Sequence, residues 1–256
     1  MIFDTHAHYD DEAFDEDREE LIESLRKANI SKVVNIGANL SGSRASVALA
    51  DKYDFFYAAV GVHPDDAAEV NDEGIAVLRE LAQNKKVRAI GEIGLDYYWN
   101  KENSAIQKEA FARQIELAKE LSLPIVIHSR DAAKDTLDIM KECDAKKAGG
   151  VMHCFSYSPE IAKEVTDMGF YIGVGGVITF KNGRKLRESV EAVPLERIVL
   201  ETDCPYLAPD PFRGKRNCSL YLKYVIKAIA DIKNVDIEKV MEVTYNNALK
   251  MYKIES

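Results

Sequence analysis

Residues 124–174 read PIVIHSRDAAKDTLDIMKECDAKKAGGVMHCFSYSPEIAKEVTDMGFYIGV. Three short apolar runs stand in this stretch, Pro124 to Ile127, Gly149 to Met152 and Phe170 to Val174. Between them lie segments of helical character rather than turns of hairpin length. The second is punctuated at both ends: Ser158 and Pro159 have the order of an N-cap followed by proline at the first helical position. Ile161, Val165 and Met168 give an apolar face, and Gly169 closes the segment. Strands joined by whole helices are parallel strands, since antiparallel neighbours need only a tight turn.

The same unit extends in both directions. Further apolar runs are Ile2 to Thr5, Lys32 to Ile36, Phe55 to Gly61, Val87 to Gly91 and Arg197 to Leu200. Eight runs end at 5, 36, 61, 91, 127, 152, 174 and 200, so successive ends are 22 to 36 residues apart. Each interval accommodates one strand and one helix. Helices are expected at about 15–28, 72–83, 131–142, 183–192, 219–231 and 236–252, besides the one after Ser158. Another opens at Ser104-Ala-Ile-Gln107, read as a capping box, with Ile106, Ala110, Gln114, Leu117 and Leu121 along its apolar stripe. Eight such units within 256 residues match a (β/α)₈ TIM barrel forming a single domain over 1–256. An open doubly wound sheet is the alternative, but Gly173-Val-Gly175-Gly176 lacks the third glycine of a dinucleotide fingerprint.

Composition narrows the class. With 46% hydrophobic and 30% charged residues the chain is ordinary for a globular protein, and no window approaches the ~18 apolar residues of a membrane span. The four cysteines form no CxxC pair and are expected to be reduced thiols in a cytoplasmic protein. A net charge of −9 argues against binding nucleic acid along a broad basic surface. It leaves the potential inside one cleft undetermined.

The chemistry is signalled by the histidines. All five stand at or just beyond the end of an expected strand: His6 and His8 after the first, His63 after the third, His128 after the fifth, His153 after the sixth. Glu92 and Asp203 occupy equivalent places after the fourth and eighth. In a barrel these ends converge on the face where active sites are built. His6 and His8, two apart on an extended chain, project to one side and suit a metal ion. A lone histidine of this kind is more often an ordinary hydrogen-bonded imidazole, but all five at strand ends are hard to produce by chance. Imidazole with carboxylate favours a zinc-like or transition-metal ion over calcium. The ligand count exceeds one tetrahedral ion, which favours two ions sharing a carboxylate. Such a pair activates water and clamps a phosphoester, and it would leave the centre positive within an acidic protein.

Several motifs in order carry a resemblance: Phe3-Asp-Thr-His-Ala-His8, Gly61-Val-His-Pro64, Gly91-Glu-Ile-Gly-Leu-Asp-Tyr-Tyr98, His128-Ser-Arg-Asp-Ala132, His153-Cys-Phe155, Glu201-Thr-Asp-Cys-Pro205 and Pro211-Phe-Arg-Gly-Lys-Arg-Asn217. Together they make the chain resemble the TatD family of metal-dependent hydrolases, of the amidohydrolase-like barrels. The resemblance implies two divalent ions (Zn, Mn, Mg or Fe) and, for many members, 3′ to 5′ exonuclease activity on DNA, with DNA 3′ ends as transient partners. Carried over by motif, His6, His8, Glu92 and Asp203 hold one ion and Glu92, His128 and His153 the other, with Asp203 as general base. His63 is expected to contact substrate phosphate or to support a ligand. Arg130 and Asp131 either orient a ligand or the scissile group, or in the case of Asp131 cap a helix. Tyr206 is a candidate for stacking on a base, and Arg213 and Asn217 for contacting substrate or shaping the eighth loop. Tyr97, Tyr98 and Trp99 either line the substrate entrance or pack within their loop. Cys154 and Cys204, next to ligands, are read as packing residues. Cys218 and Ser219 depart from the acidic residue and proline often found after this asparagine in relatives, which bears on the loop geometry.

Two other functions fit the same residues. One is hydrolysis of an amide or ester, including an aminoacyl ester on tRNA, although no lysine stands at a matching strand end as many such amidases require. The other is a non-enzymatic, metal-bound partner-binding protein, against which the retained Asp203 argues. Neither a membrane nor an obligate protein partner is implied.

Overall fold

The computed structural model describes residues 1–255. Eight strands, β1 (Ile2–Ala7), β2 (Ile30–Ile36), β3 (Phe56–Val60), β4 (Val87–Asp96), β5 (Ile125–Arg130), β6 (Gly150–Met152), β7 (Tyr171–Val174) and β8 (Ile198–Leu200), pair in sequential order, every pair parallel. Ala7 bridges Cys204, and the Thr202 and Asp203 amides donate to the His6 carbonyl, so the last strand returns to the first. The architecture is a (β/α)₈ TIM barrel; the open sheet is excluded by this return.

The seam between β1 and β8 is short in backbone bonds and is reinforced by side chains. Asp4 is fully buried there and accepts from the Thr202 amide (3.0 Å), the Thr202 hydroxyl (2.7 Å) and the Ser219 hydroxyl (2.6 Å). Burial pushes its pKa up to about 6, with those hydrogen bonds opposing the rise. Ser219, part of the sequence departure in the eighth loop, thus helps hold the seam.

Alternation along the strands sorts side chains into two cores. Phe3, Val34, Ala59, Ala89, Val126, Val151, Tyr171 and Val199 face the barrel interior, while neighbours such as Ile2, Val33, Ala58, Ile90 and Ile125 pack outward against the helices. The interior is closed from its N-terminal end by the last helix, α9 (Ile237–Met251): Leu249, Met251 and Tyr252 enter it, and the Tyr252 hydroxyl donates to the Thr5 carbonyl at 2.7 Å. Among the described residues no helix is long and apolar enough to cross a membrane.

The other helices are α1 (Arg18–Lys27), α2 (Leu40–Lys52), α3 (Asp72–Leu81), α4 (Ser104–Leu121), α5 (Ala133–Glu142), α6 (Pro159–Asp167), α7 (Arg184–Ala192) and α8 (Leu222–Lys233). Three expectations are corrected. Helix α2 was not anticipated, because LSGSRAS is poor in strong helix formers; its start is set by Asn39, whose side chain accepts from the Gly42 amide. The capping box at Ser104 does not form. Asn103 occupies the N-cap without a side-chain bond, and Gln107 is buried, exchanging bonds with the Asp96 backbone on β4. Ile106 consequently faces solvent, and Phe111, Ile115 and Ala118 join the buried face instead. Finally, β1, β4 and β5 run further than expected, so His6, Glu92 and His128 lie within strands rather than after them.

Candidate metal centre

Three strands aim their polar residues by alternation alone. Beyond the interior residue Val126 come His128 and Arg130; beyond Val151 comes His153; beyond Val199 come Glu201 and Asp203. On β1 and β4 the phase differs, and a register shift supplies the difference. From Asp4 to Ala7, three steps on β1 face two on β2 (Val33 to Asn35). From Ile90 to Ile93, three steps on β4 face two on β5 (Ile125 to Ile127). One extra residue in each strand turns His6 and Glu92 inward, where strict alternation from Phe3 and Ala89 would have turned them out.

Glu92 lies at the centre of the cluster, buried, with its two oxygens directed at different histidines. Oε1 is 2.8 Å from His128 Nδ1 and 2.6 Å from His153 Nε2; Oε2 is 3.4 Å from His6 Nε2 and 3.8 Å from His8 Nε2. Asp203 Oδ1 is 3.4 Å from Nε2 of both His6 and His8, whose Nε2 atoms are 3.1 Å apart. Asp203 and Cys154 both adopt left-handed backbone conformations, with φ of +56° and +44°, uncommon for residues with a side chain.

Partners on the far side of the rings fix which nitrogen faces the cluster. His8 Nδ1 donates to the Ile36 carbonyl at 3.0 Å, and His128 Nε2 donates to Asp96 Oδ2 at 3.0 Å, so Nε2 of one and Nδ1 of the other present a lone pair when the ring is neutral. His6 and His153 stack at 4.0 Å, nearly parallel. His6 is pushed down to about 4 by burial and by the charge of His153. Burial works against a charge on His8 and His128 as well, but the hydrogen bond and charge of Asp203 carry His8 up to about 9, and those of Asp96 and Glu92 carry His128 up to about 9. Against the penalty of burial, the charges of His153 and His6 hold Glu92 well below the usual carboxylate range, and His8 and His6 likewise hold Asp203 low.

The donor set fits divalent metal. Imidazoles and carboxylates converge without lysine or arginine between them, and a central carboxylate offers one oxygen to each of two histidine pairs. The buried Nδ1 atoms of His6 and His153 and Oε2 of Glu201 have no hydrogen-bond partner. Groups of donor atoms close enough to share an ion are His6/His8/Asp203, His6/His153/Glu201 and His63/Glu92/His128.

The remaining expected residues divide. His63 adjoins the cluster, its ring 4.3 Å from that of His128 and its Nε2 4.0 Å from Glu92 Oε1; its Nδ1 accepts from the Asp65 amide. Arg130 is exposed and lies over Tyr98, 4.0 Å from the ring centre. Tyr206 is exposed, its hydroxyl donating to Asp11, and the Arg213 guanidinium lies 4.2 Å over Phe180. Asn217 is buried, its amide donating to the Thr202 and Tyr206 carbonyls and its oxygen accepting from Cys218. Those bonds describe the loop-shaping one of its two expected roles, and substrate contact is corrected accordingly. Asp131 caps nothing: Ala132 occupies the N-cap of α5, which has no side-chain cap bond. Cys204 is buried, as a packing residue should be, whereas Cys154 is off the strand, half-buried, with its amide donating to Glu201 Oε1 at 2.5 Å.

Two carboxylates with evident roles escaped the sequence reading. Asp96 orients His128. Glu201 stands 3.9 Å from His153 Nδ1 and is pushed up to about 8, burial outweighing the opposing charge of His153. The available signal for Glu201 was its spacing of two from Asp203.

A family model described as TatD related DNase matches residues 3–253. The chain belongs to that family. It is 46% identical over 99% of its length to the whole of an uncharacterized metal-dependent hydrolase, YabD, of Bacillus subtilis. It is 36% identical to a 3′-5′ ssDNA/RNA exonuclease TatD of Cronobacter sakazakii, covering 98% of this chain and 97% of that one. Its fold superposes on the crystal structure of YJJV, a TatD homolog from Escherichia coli, with a TM-score of 0.92 at 28% identity, covering 99% of this chain and 98% of the other. The protein is therefore a metal-dependent hydrolase, and the binding-protein alternative is set aside.

Proposed function

We propose that this TatD-family hydrolase is a 3′ to 5′ exonuclease that removes nucleotides from DNA ends at a dinuclear centre. The observation that carries the reading is the division of Glu92, one oxygen toward His128 and His153 and the other toward His6 and His8. The exonuclease name of the Cronobacter relative supports the choice of substrate.

His6, His8, Glu92 and Asp203 would hold one ion, and Glu92, His128 and His153 the other. Bound divalent ions supply Lewis acidity toward a phosphoryl oxygen and make water a better nucleophile near neutral pH. Asp203, ionised and partly exposed beside His6 and His8, takes the proton of the attacking water. His63 and Arg130, on the C-terminal rim beside the cluster, receive the phosphate, and Tyr206 and Arg213 flank it from the eighth loop. The acidic surface is consistent with this division of labour, since only a strand end has to enter the cationic pocket.

The test is shortening of single-stranded DNA labelled at either end, after chelation and reloading with Mg²⁺, Mn²⁺ or Zn²⁺. Loss of nucleotides from the 3′ end only with metal present is expected. Asp203→Asn should reduce the rate by about 10²–10⁴-fold, the range of a lost general base. DNA left intact with all three metals would overturn the proposal.

A further inference from the structure

We propose that Tyr98, Trp99 and Arg130 form a stacking site for an unpaired nucleobase beside the metal centre, held in register with it by Asp96. The inference rests on the nucleolytic reading above and deepens it by naming what recognises the nucleotide.

Tyr98 and Trp99 are large aromatic side chains left in solvent, 55% and 63% exposed. They meet edge to face at 4.7 Å, and the Arg130 guanidinium covers them at 4.0 Å from the Tyr98 ring and 5.6 Å from that of Trp99. Arg130 makes no ion pair among the described residues, so a cation is held on an aromatic surface with its charge available. That combination is the one that binds single-stranded nucleic acid: exposed aromatic faces for any base and a cation for the adjoining phosphate. An apolar protein partner would leave the guanidinium buried without an anion, which disfavours it.

The position relative to the chemistry is set by one side chain. Asp96 ends β4 and is buried. Its Oδ1 accepts from the amides of Tyr98 (2.9 Å) and Trp99 (3.0 Å), forming the turn that displays both rings, while its Oδ2 accepts from His128 Nε2. Gln107 fixes the Asp96 backbone by bonding both its amide and its carbonyl, at 3.0 and 3.1 Å. Arg130 lies two residues beyond His128 on β5, on the same side of the strand, and its carbonyl accepts from the Tyr97 amide. Platform and metal ligand thus share two strands and one carboxylate. Asp96 is a positioning residue, and Tyr98, Trp99 and Arg130 are the binding residues.

Trp99 is the only tryptophan of the chain, so its fluorescence reports occupancy directly. The full-length protein is titrated in EDTA, which prevents cleavage, with the pentanucleotide dT5, with an abasic pentamer of equal charge, and with inorganic phosphate. Saturable quenching by dT5 is expected, with the abasic pentamer bound roughly tenfold or more weakly and phosphate causing no quenching; Tyr98→Ala should weaken dT5 binding by a similar factor. Equal binding of dT5 and the abasic pentamer, or dT5 binding that leaves Trp99 unquenched, overturns the stacking site. The outcome is separable from that of the nuclease assay. DNA shortening with no preference for the base-bearing pentamer removes the platform and keeps the exonuclease; base-dependent quenching without shortening does the reverse.

Discussion

A single carboxylate, Asp96, controls how one proposed metal ligand is presented, and its two oxygens do separable work. Oδ2 accepts the His128 Nε2–H, which leaves Nδ1 facing Glu92, and Oδ1 holds the Tyr98–Trp99 turn. Asp96→Asn keeps an oxygen for the two amides but sets an NH₂ group against the imidazole N–H, which removes the restraint on the ring. Metal affinity, measured by competition with a chelator, is expected to fall by about 10–100-fold, the usual effect of losing such a partner. Trp99 quenching by dT5 in EDTA should be unchanged. An unaltered metal affinity would show that His128 is oriented by something else. The six proposed ligands were legible in the sequence because histidines are few and stood at strand ends. Asp96 and Glu201 were not, because each is one acidic residue among 43 and only its distance from an imidazole sets it apart from a solvated carboxylate.

At the scale of elements, spacing revealed the strands and their parallel order, but the phase within two of them lay beyond period-two reasoning. Just beyond the extra residue, β4 passes so close to β5 that only glycine fits. Gly94 has φ of +147°, and a Cβ there would lie 1.9 Å from the His128 carbonyl oxygen on β5. Side chain and backbone cannot share that space, so Gly94→Ala must push apart the two strands that carry Glu92 and His128. Gly214, also at positive φ (+84°), has nothing within 4 Å of the same position. Gly94→Ala is expected to cost more than about 2 kcal/mol and Gly214→Ala about 1 kcal/mol, the latter being conformational strain alone. For a chain of this size each kcal/mol corresponds to roughly 2–4 °C of Tm. Thermal unfolding of the two variants checks the order, and equal losses would mean that the close approach of β4 and β5 does not constrain the fold. Helix α2 was missed for a related reason: its serines and glycine are weak helix formers, and the Asn39 cap and the neighbouring strands make the segment helical.

For the molecule as a whole, net charge is an average that hides a buried cluster in which protons and metal compete. In the metal-free protein His8 and His128 are pushed up to about 9 by their carboxylate partners against the penalty of burial. Relative to an unfolded value near 6.5, the stability they contribute is complete below pH 6.5 and is lost as the pH rises through 9. Glu201, raised to about 8 by burial, acts in the same direction, its contribution being lost between about 4.5 and 8. His6, lowered to about 4, acts oppositely: its contribution is lost as the pH falls from 6.5 toward 4. Metal requires neutral imidazoles, so loading at pH 7 should release at least about two protons, one each from His8 and His128, with a further contribution from His153, which the charge and hydrogen bond of Glu92 also raise against the penalty of burial. Calorimetric titration with Zn²⁺ or Mn²⁺ in buffers of different ionisation enthalpy measures that number, and a value near zero at pH 7 would mean the rings are already neutral. Affinity must then rise with pH over the range in which the metal-free form loses stability. A site held at 100 times its Kd adds about 2.7 kcal/mol. The Tm difference between loaded and EDTA-treated protein should therefore widen from pH 6 to pH 9, and a constant or narrowing difference would contradict the proton competition.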